Sequence, residues 1–169
     1  LFDLSPSMLA SDLKPDRLTR ARLKTIDILS GYKEGSSALI AYGGEAHVVT
    51  PLTDDTNTII SQLPVLHPNI MPVSGSNPEE ALKLAFELAA NAGHPEGDIL
   101  LITDGATRDA IDNLGSILQD HPDFRLSILG VGTADGAPIP LNQYGFARDS
   151  GGSIVIAKLN QNELAGLAE

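Results

Sequence analysis

The run Ile99-Leu100-Leu101-Ile102 is apolar at both parities, so a strand built from it must be covered on both faces. Parallel sheets sandwiched between helical layers meet that demand, and strands alternating with helices are their sequence signature. The run stops abruptly at Thr103-Asp104-Gly105. Leu1–Leu4 reads as the stub of a second buried strand, and there too an aspartate, Asp3, stands where the apolar stretch gives way to the polar loop Ser5-Pro6-Ser7. Ligands of open α/β sheets sit beyond the carboxyl ends of the strands. Both aspartates therefore fall where chemistry is expected.

The segments between supply the alternation. Pro15 fits the start of a helix over Asp16–Ser30, with Leu18, Leu23, Ile26 and Leu29 inward and Gly31 as its stop. Ala38–Tyr42 and Ala46–Thr50 are two short strands, and the tight Gly43-Gly44 turn makes the second an antiparallel edge strand. Thr56–Leu63 reads as a short helix ended by Pro64. Ser76 or Asn77 caps a helix running to about Asn91, with Leu82, Ala85, Phe86 and Ala89 inward. Strands at Asp98–Thr103 and Phe124–Val131 flank a helix over Arg108–Gln119. Thr133–Asn160 breaks the pattern: Asp149-Ser150-Gly151-Gly152 between Tyr144–Arg148 and Ser153–Ala157 predicts a surface β-hairpin. Asn160–Ala168 predicts a last short helix, with Leu164 and Leu167 on its apolar face.

Size and charge bound the function. At 169 residues the chain fits one domain, residues 1–169, expected to be excised at its start because it begins almost inside its first strand. The net charge of −11 argues against nucleic acid, whose binding needs phosphates neutralised by Lys and Arg. With no cysteine, thiol catalysis and Cys-type zinc sites are excluded. No stretch is long and apolar enough to cross a bilayer, which takes about 18–20 residues.

Ser5 and Ser7 sit two apart, on one side of an extended segment, and Asp3 is two before Ser5. If the strands ending at Asp3 and Asp104 are neighbours, two carboxylates and two hydroxyls meet, with Ser76 adding a hydroxyl from a helix start. Two carboxylates that close repel, and one is driven toward protonation unless a cation sits between them. All-oxygen ligands with room for water suit Mg²⁺, or Mn²⁺ or Ca²⁺ in its place.

Asp3-x-Ser5-x-Ser7 at a strand end resembles the metal-ion-dependent adhesion site of von Willebrand factor type A domains. Asp104-Gly105 resembles that site's later aspartate, and Ser76 stands where the family usually carries threonine, keeping the hydroxyl and losing the methyl. Asp3–Ala10, Lys14–Leu18, Ala41–Gly44, Pro51–Thr53, Met71–Ser76, Gly130–Thr133 and Gly136–Pro140 are similar to the bacterial Bat aerotolerance-type, membrane-anchored branch. The resemblance implies a Rossmann-like α/β fold with sheet order 3-2-1-4-5, one antiparallel edge strand, helices on both faces and a hairpin insertion near residues 134–157. The family's last strand and helix are expected to be missing, leaving an exposed sheet edge open to self-association. It also implies a metal set of Asp3, Ser5, Ser7, Ser76 and Asp104, a partner protein offering an Asp or Glu to the metal, and a non-enzymatic role. The full-length protein would be anchored in a bacterial inner membrane with this domain periplasmic, working in stress response or complex assembly.

Two rival functions are a Mg²⁺-dependent phosphatase or phosphotransferase using Asp3, and a metal-free scaffold. The phosphotransferase pattern wants a second acid two residues after Asp3, where Ser5 stands. His47, His67, His94 and His121 are scattered with no H-x-x-x-H pair and read as surface or loop residues. Gly130-x-Gly132 lacks the third glycine of a dinucleotide loop, Asp135 taking its place.

Overall fold

The computed structural model describes residues 1–32, 34–141 and 145–167. In chain order the elements are β1 (Phe2–Asp3), α1 (Arg17–Gly31), β2 (Ser37–Tyr42), β3 (Ala46–Thr53), α2 (Thr56–Gln62), α3 (Pro78–Asn91), β4 (Gly97–Thr103), α4 (Arg108–Gln119), β5 (Phe124–Gly130), β6 (Ala137–Pro138), β7 (Ile156–Ala157) and α5 (Gln161–Ala165). The sheet order is β3-β2-β1-β4-β5. β1 pairs in parallel with β2 and β4, β4 with β5, and only β3 runs antiparallel.

Side-chain alternation divides the sheet into two dry faces. Leu39 and Ala41 of β2 and Ile102 of β4 join Phe2, Leu18, Ala21, Ile59 and Leu63 beneath α1 and α2. Ile40, Tyr42, Ile99 and Leu101 point the other way, onto Ala81, Leu82, Phe86 and Leu114 of α3 and α4. The continuous apolar run of β4 thus feeds both cores, as its composition requires. β1 is two residues long, yet it lies at the centre of the sheet. Its register sets Asp3 opposite Tyr42 and Phe2 opposite Ile102.

Two local expectations are corrected. Asp16 caps α1 by accepting the Thr19 N–H (2.7 Å), so Pro15 lies outside the helix. Leu23 is 51% exposed, and the buried stripe of α1 is Arg17, Leu18, Ala21 and Thr25. His121 lies in the loop between α4 and β5, and its ring stacks on Phe86 with centroids 3.8 Å apart.

The segment after β5 forms an arm. Asp149 and Gly152 close a turn, and Arg148 bridges Ile154 in the expected hairpin. A third segment joins it, with Pro138 opposite Ile156 and Pro140 opposite Phe146. Ile139, Ala147 and Val155 are half-buried and bonded to one another in a ring of backbone hydrogen bonds. Phe146, Ile154 and Ile156, at the other parity, are exposed. The expected strand residue Tyr144 lies outside the described residues. No helix of the described residues is long and apolar enough to cross a membrane.

Candidate metal centre

The chain leaves β1 with the Leu4 N–H bonded to the Tyr42 carbonyl (2.7 Å). Pro6 then heads a short 3-10 turn over Pro6–Leu9, which folds the loop across the carboxyl end of the sheet. Ser5, preceding a proline, is extended. This brings the Ser5 and Ser7 hydroxyls within 3.0 Å of each other.

Asp3 is fully buried between its two flanking strands. Oδ1 accepts the Ser5 N–H at 2.7 Å. Oδ2 accepts the hydroxyls of Thr103, the last residue of β4, at 2.7 Å and Tyr42, the last residue of β2, at 3.1 Å. Burial, and then the negative charge of Asp104, push its carboxyl up to about 6 against the pull of these hydrogen bonds. Asp104 follows directly after β4 and is buried as well. Its carboxyl is also pushed up by burial, with the Ser7 hydroxyl and the Arg17 guanidinium opposing the rise.

Arg17 is fully buried on the inner stripe of α1. Its Nη1 donates to Asp104 Oδ2 (2.8 Å), while Nε and Nη2 form a fork on the two oxygens of Asp12, each at 2.7 Å. Nη2 also donates to the Ala157 carbonyl (2.7 Å). Two carboxylates, Asp12 and Asp104, thus share one guanidinium, while Asp3 feels the charge of Asp104.

Of the five residues singled out in the sequence, the structure gathers Asp3, Ser5, Ser7 and Asp104. Ser76 stands in the loop before α3, exposed, and no hydrogen bond joins it to the other four. Asn77 is the cap of that helix, accepting the Glu80 N–H at 3.2 Å. The loop is nevertheless fastened to the same end of the sheet: Gly44 N–H bonds Val73 O (2.9 Å) and Asn77 N–H bonds Gly43 O (2.7 Å). A Cβ on Gly44 would lie 2.5 Å from the Val73 side chain, so glycine permits that approach.

The donor set fits a hard cation. Its ligating atoms are all oxygens, and the Ser5 and Ser7 hydroxyls bond chiefly to each other. Among the described residues no three of His, Cys, Asp and Glu converge as a metal cluster, so a cation here would rest on hydroxyls beside two acids.

Residues 1–106 match the family model of the von Willebrand factor type A domain. The chain belongs to this family. Across 99% of its length this A domain is similar to an aerotolerance-related membrane protein from Bacteroides fragilis, solved with multiple mutations to serines. The identity is 28%, the TM-score 0.86, and 83% of that chain is covered. It is similar over 99% of its length to BatB from Bacteroides thetaiotaomicron, at 27% identity and TM-score 0.80, covering 82% of that chain. An uncharacterized membrane-spanning protein from Vibrio fischeri matches at 25% identity and TM-score 0.50, over 99% of this chain and 82% of that one. No curated protein shows significant similarity to it. Type A domains are typically protein-interaction modules, and they commonly bind a divalent metal.

Sequence reasoning passed over Tyr42, Thr103, Asp12 and Arg17. The signal for Arg17 was available: it stands four and eight residues before Ala21 and Thr25, on the helix face that turns inward. An arginine there must meet carboxylates.

Proposed function

We propose that this A domain is a cation-dependent protein-binding module. A Mg²⁺, Mn²⁺ or Ca²⁺ ion would be held by Asp3, Ser5, Ser7 and Asp104, with Ser76 supplying a further hydroxyl from the α3 loop. The observation that carries the reading is the pair of buried carboxylates, Asp3 and Asp104, drawn together with the Ser5 and Ser7 hydroxyls at the carboxyl end of the central strands. Such a set leaves coordination positions for water or for an Asp or Glu of a partner. On a surface as acidic as this one, an acidic partner would otherwise be repelled, so the ion would provide both attraction and orientation.

The phosphotransferase alternative lacks its second acid: two residues after Asp3 stands Ser5, whose hydroxyl bonds that of Ser7. Similarity to aerotolerance-related and membrane-spanning proteins supports a place in a bacterial cell envelope. Anchoring in the inner membrane, a periplasmic position and a role in stress response or complex assembly belong to this proposal. So do a single domain spanning residues 1–169 and self-association through the open edge of β5.

Titration calorimetry with Mg²⁺ and Mn²⁺ tests the site. Wild type is expected to bind one ion, and Asp3→Asn and Asp104→Asn to lose at least about tenfold in affinity, the equivalent of about 1.4 kcal/mol. Equal affinities in all three proteins would refute the assignment.

A further inference from the structure

Arg17 has two jobs in one rigid plane. Through Nη1 it holds Asp104 Oδ2, and through Nη2 it holds the carbonyl of Ala157 at the end of β7. Its fork partner Asp12 reaches the other end of the arm, accepting both the N–H and the hydroxyl of Thr133 at 2.8 Å. Thr133 in turn accepts the Gly136 N–H on its hydroxyl (3.1 Å) and the Leu159 N–H on its carbonyl (3.0 Å). Both ends of the 133–159 arm therefore converge on this one ion pair. The fit is tight: Gly132, at φ +146°, lies against the guanidinium, and a Cβ there would stand 2.8 Å from Cζ.

Two cations that draw on one carboxylate in a partly dry place repel each other. A guanidinium bonds through a planar fork, so losing one of its three partners frees the plane to turn about the others. From this arrangement, and resting on the cation reading above, we propose that Arg17 is a positioning residue that shares Asp104 with the divalent ion while fastening the arm. Cation binding and arm docking then oppose each other. Linkage makes the opposition mutual, with a coupling of about tenfold.

The test compares Mn²⁺ affinity by calorimetry with amide hydrogen exchange at Thr133, Gly136 and Leu159. In wild type, saturating Mn²⁺ is expected to speed exchange at these three amides. The paired variant Arg17→Gln/Asp12→Asn removes both charges together and keeps acceptors for Thr133. It is expected to bind Mn²⁺ about tenfold more tightly, with arm exchange already fast and insensitive to the ion. Arg17→Lys keeps the charge and gives up the fork, so arm exchange rises while affinity stays within about twofold.

A merely structural arginine would weaken ion binding and loosen the arm in both variants, and that pattern would overturn the proposal. So would unchanged arm exchange in a wild type that binds Mn²⁺, a result that leaves the cation site standing. If wild type binds no Mn²⁺, the cation site and this inference fall together.

Discussion

Asp12 and Asp3 are both carboxylates, yet their surroundings shift them in opposite directions. The Arg17 guanidinium, helped by the Thr133 hydroxyl and N–H, holds the Asp12 carboxyl well below the usual carboxylate range. An unfolded chain releases that favourable contact, so Asp12 contributes stability that is complete above its ordinary value near 4 and is lost as pH falls below it. Asp3 is pushed up instead, so protonation favours its folded form as pH drops from above about 6 toward 4. The Asp12→Asn variant is therefore expected to lose roughly 2 kcal/mol at neutral pH, as for a hydrogen bond to a charged group. It should also show a flatter loss of Tm between about pH 4 and pH 2 than wild type. Thermal unfolding followed by circular dichroism across that range measures both. Parallel curves would mean that the Asp12–Arg17 pair contributes nothing to acid sensitivity.

Among the elements, β4 was legible because hydrophobicity at both parities has one structural solution, and α3 because its apolar spacing and cap agreed. α1 was read less well. Leu23 counted as inward on hydrophobicity alone, whereas the inner stripe includes Arg17, whose burial depends on acids from distant stretches. The arm's turn was visible in Asp149–Gly152, but its third segment depends on contacts between Ile139, Ala147 and Val155 that no local pattern announces. At the candidate site the acids and hydroxyls stood out, while Tyr42 and Thr103 looked like ordinary strand residues. β5 carries a consequence of its own. It ends the sheet order, and among the described residues no strand pairs with its outer edge; a groove of about 860 Å³ lined by Leu118, Phe124, Leu126 and Leu167 lies along it. Open edges invite pairing, and the charge of −11 opposes it by repulsion that salt screens. Sedimentation is expected to show a monomer at low salt and growing self-association at about 0.5 M, where the screening length falls well below 10 Å. The exposed-edge substitution Ser127→Lys is expected to restore the monomer. Association indifferent to Ser127→Lys would place the contact elsewhere.

For the molecule as a whole, the candidate site is a local cost that the rest of the fold carries. Two sandwiched cores fix β1 between β2 and β4, and that placement brings Asp3 within the influence of Asp104's charge, in a buried setting where both resist ionisation. An ion that relieved the conflict would bind the folded chain and not the unfolded one, because Asp3, Ser5, Ser7 and Asp104 come together only when the strands are in register. Ligand at a hundredfold excess over its Kd stabilises by about 2.7 kcal/mol. For a domain of this size each kcal/mol moves the midpoint by roughly 2–4 °C, so saturating Mg²⁺ is expected to raise Tm by roughly 5–10 °C and EDTA to reverse the rise. Asp3→Asn adds a discriminating comparison. It removes one of the two repelling charges, so the metal-free variant should melt no lower than metal-free wild type provided the Tyr42 and Thr103 hydroxyls keep an acceptor, yet it should gain little from Mg²⁺. A variant that melts lower without metal and still gains the full shift with it would show that Asp3 serves the fold rather than the ion.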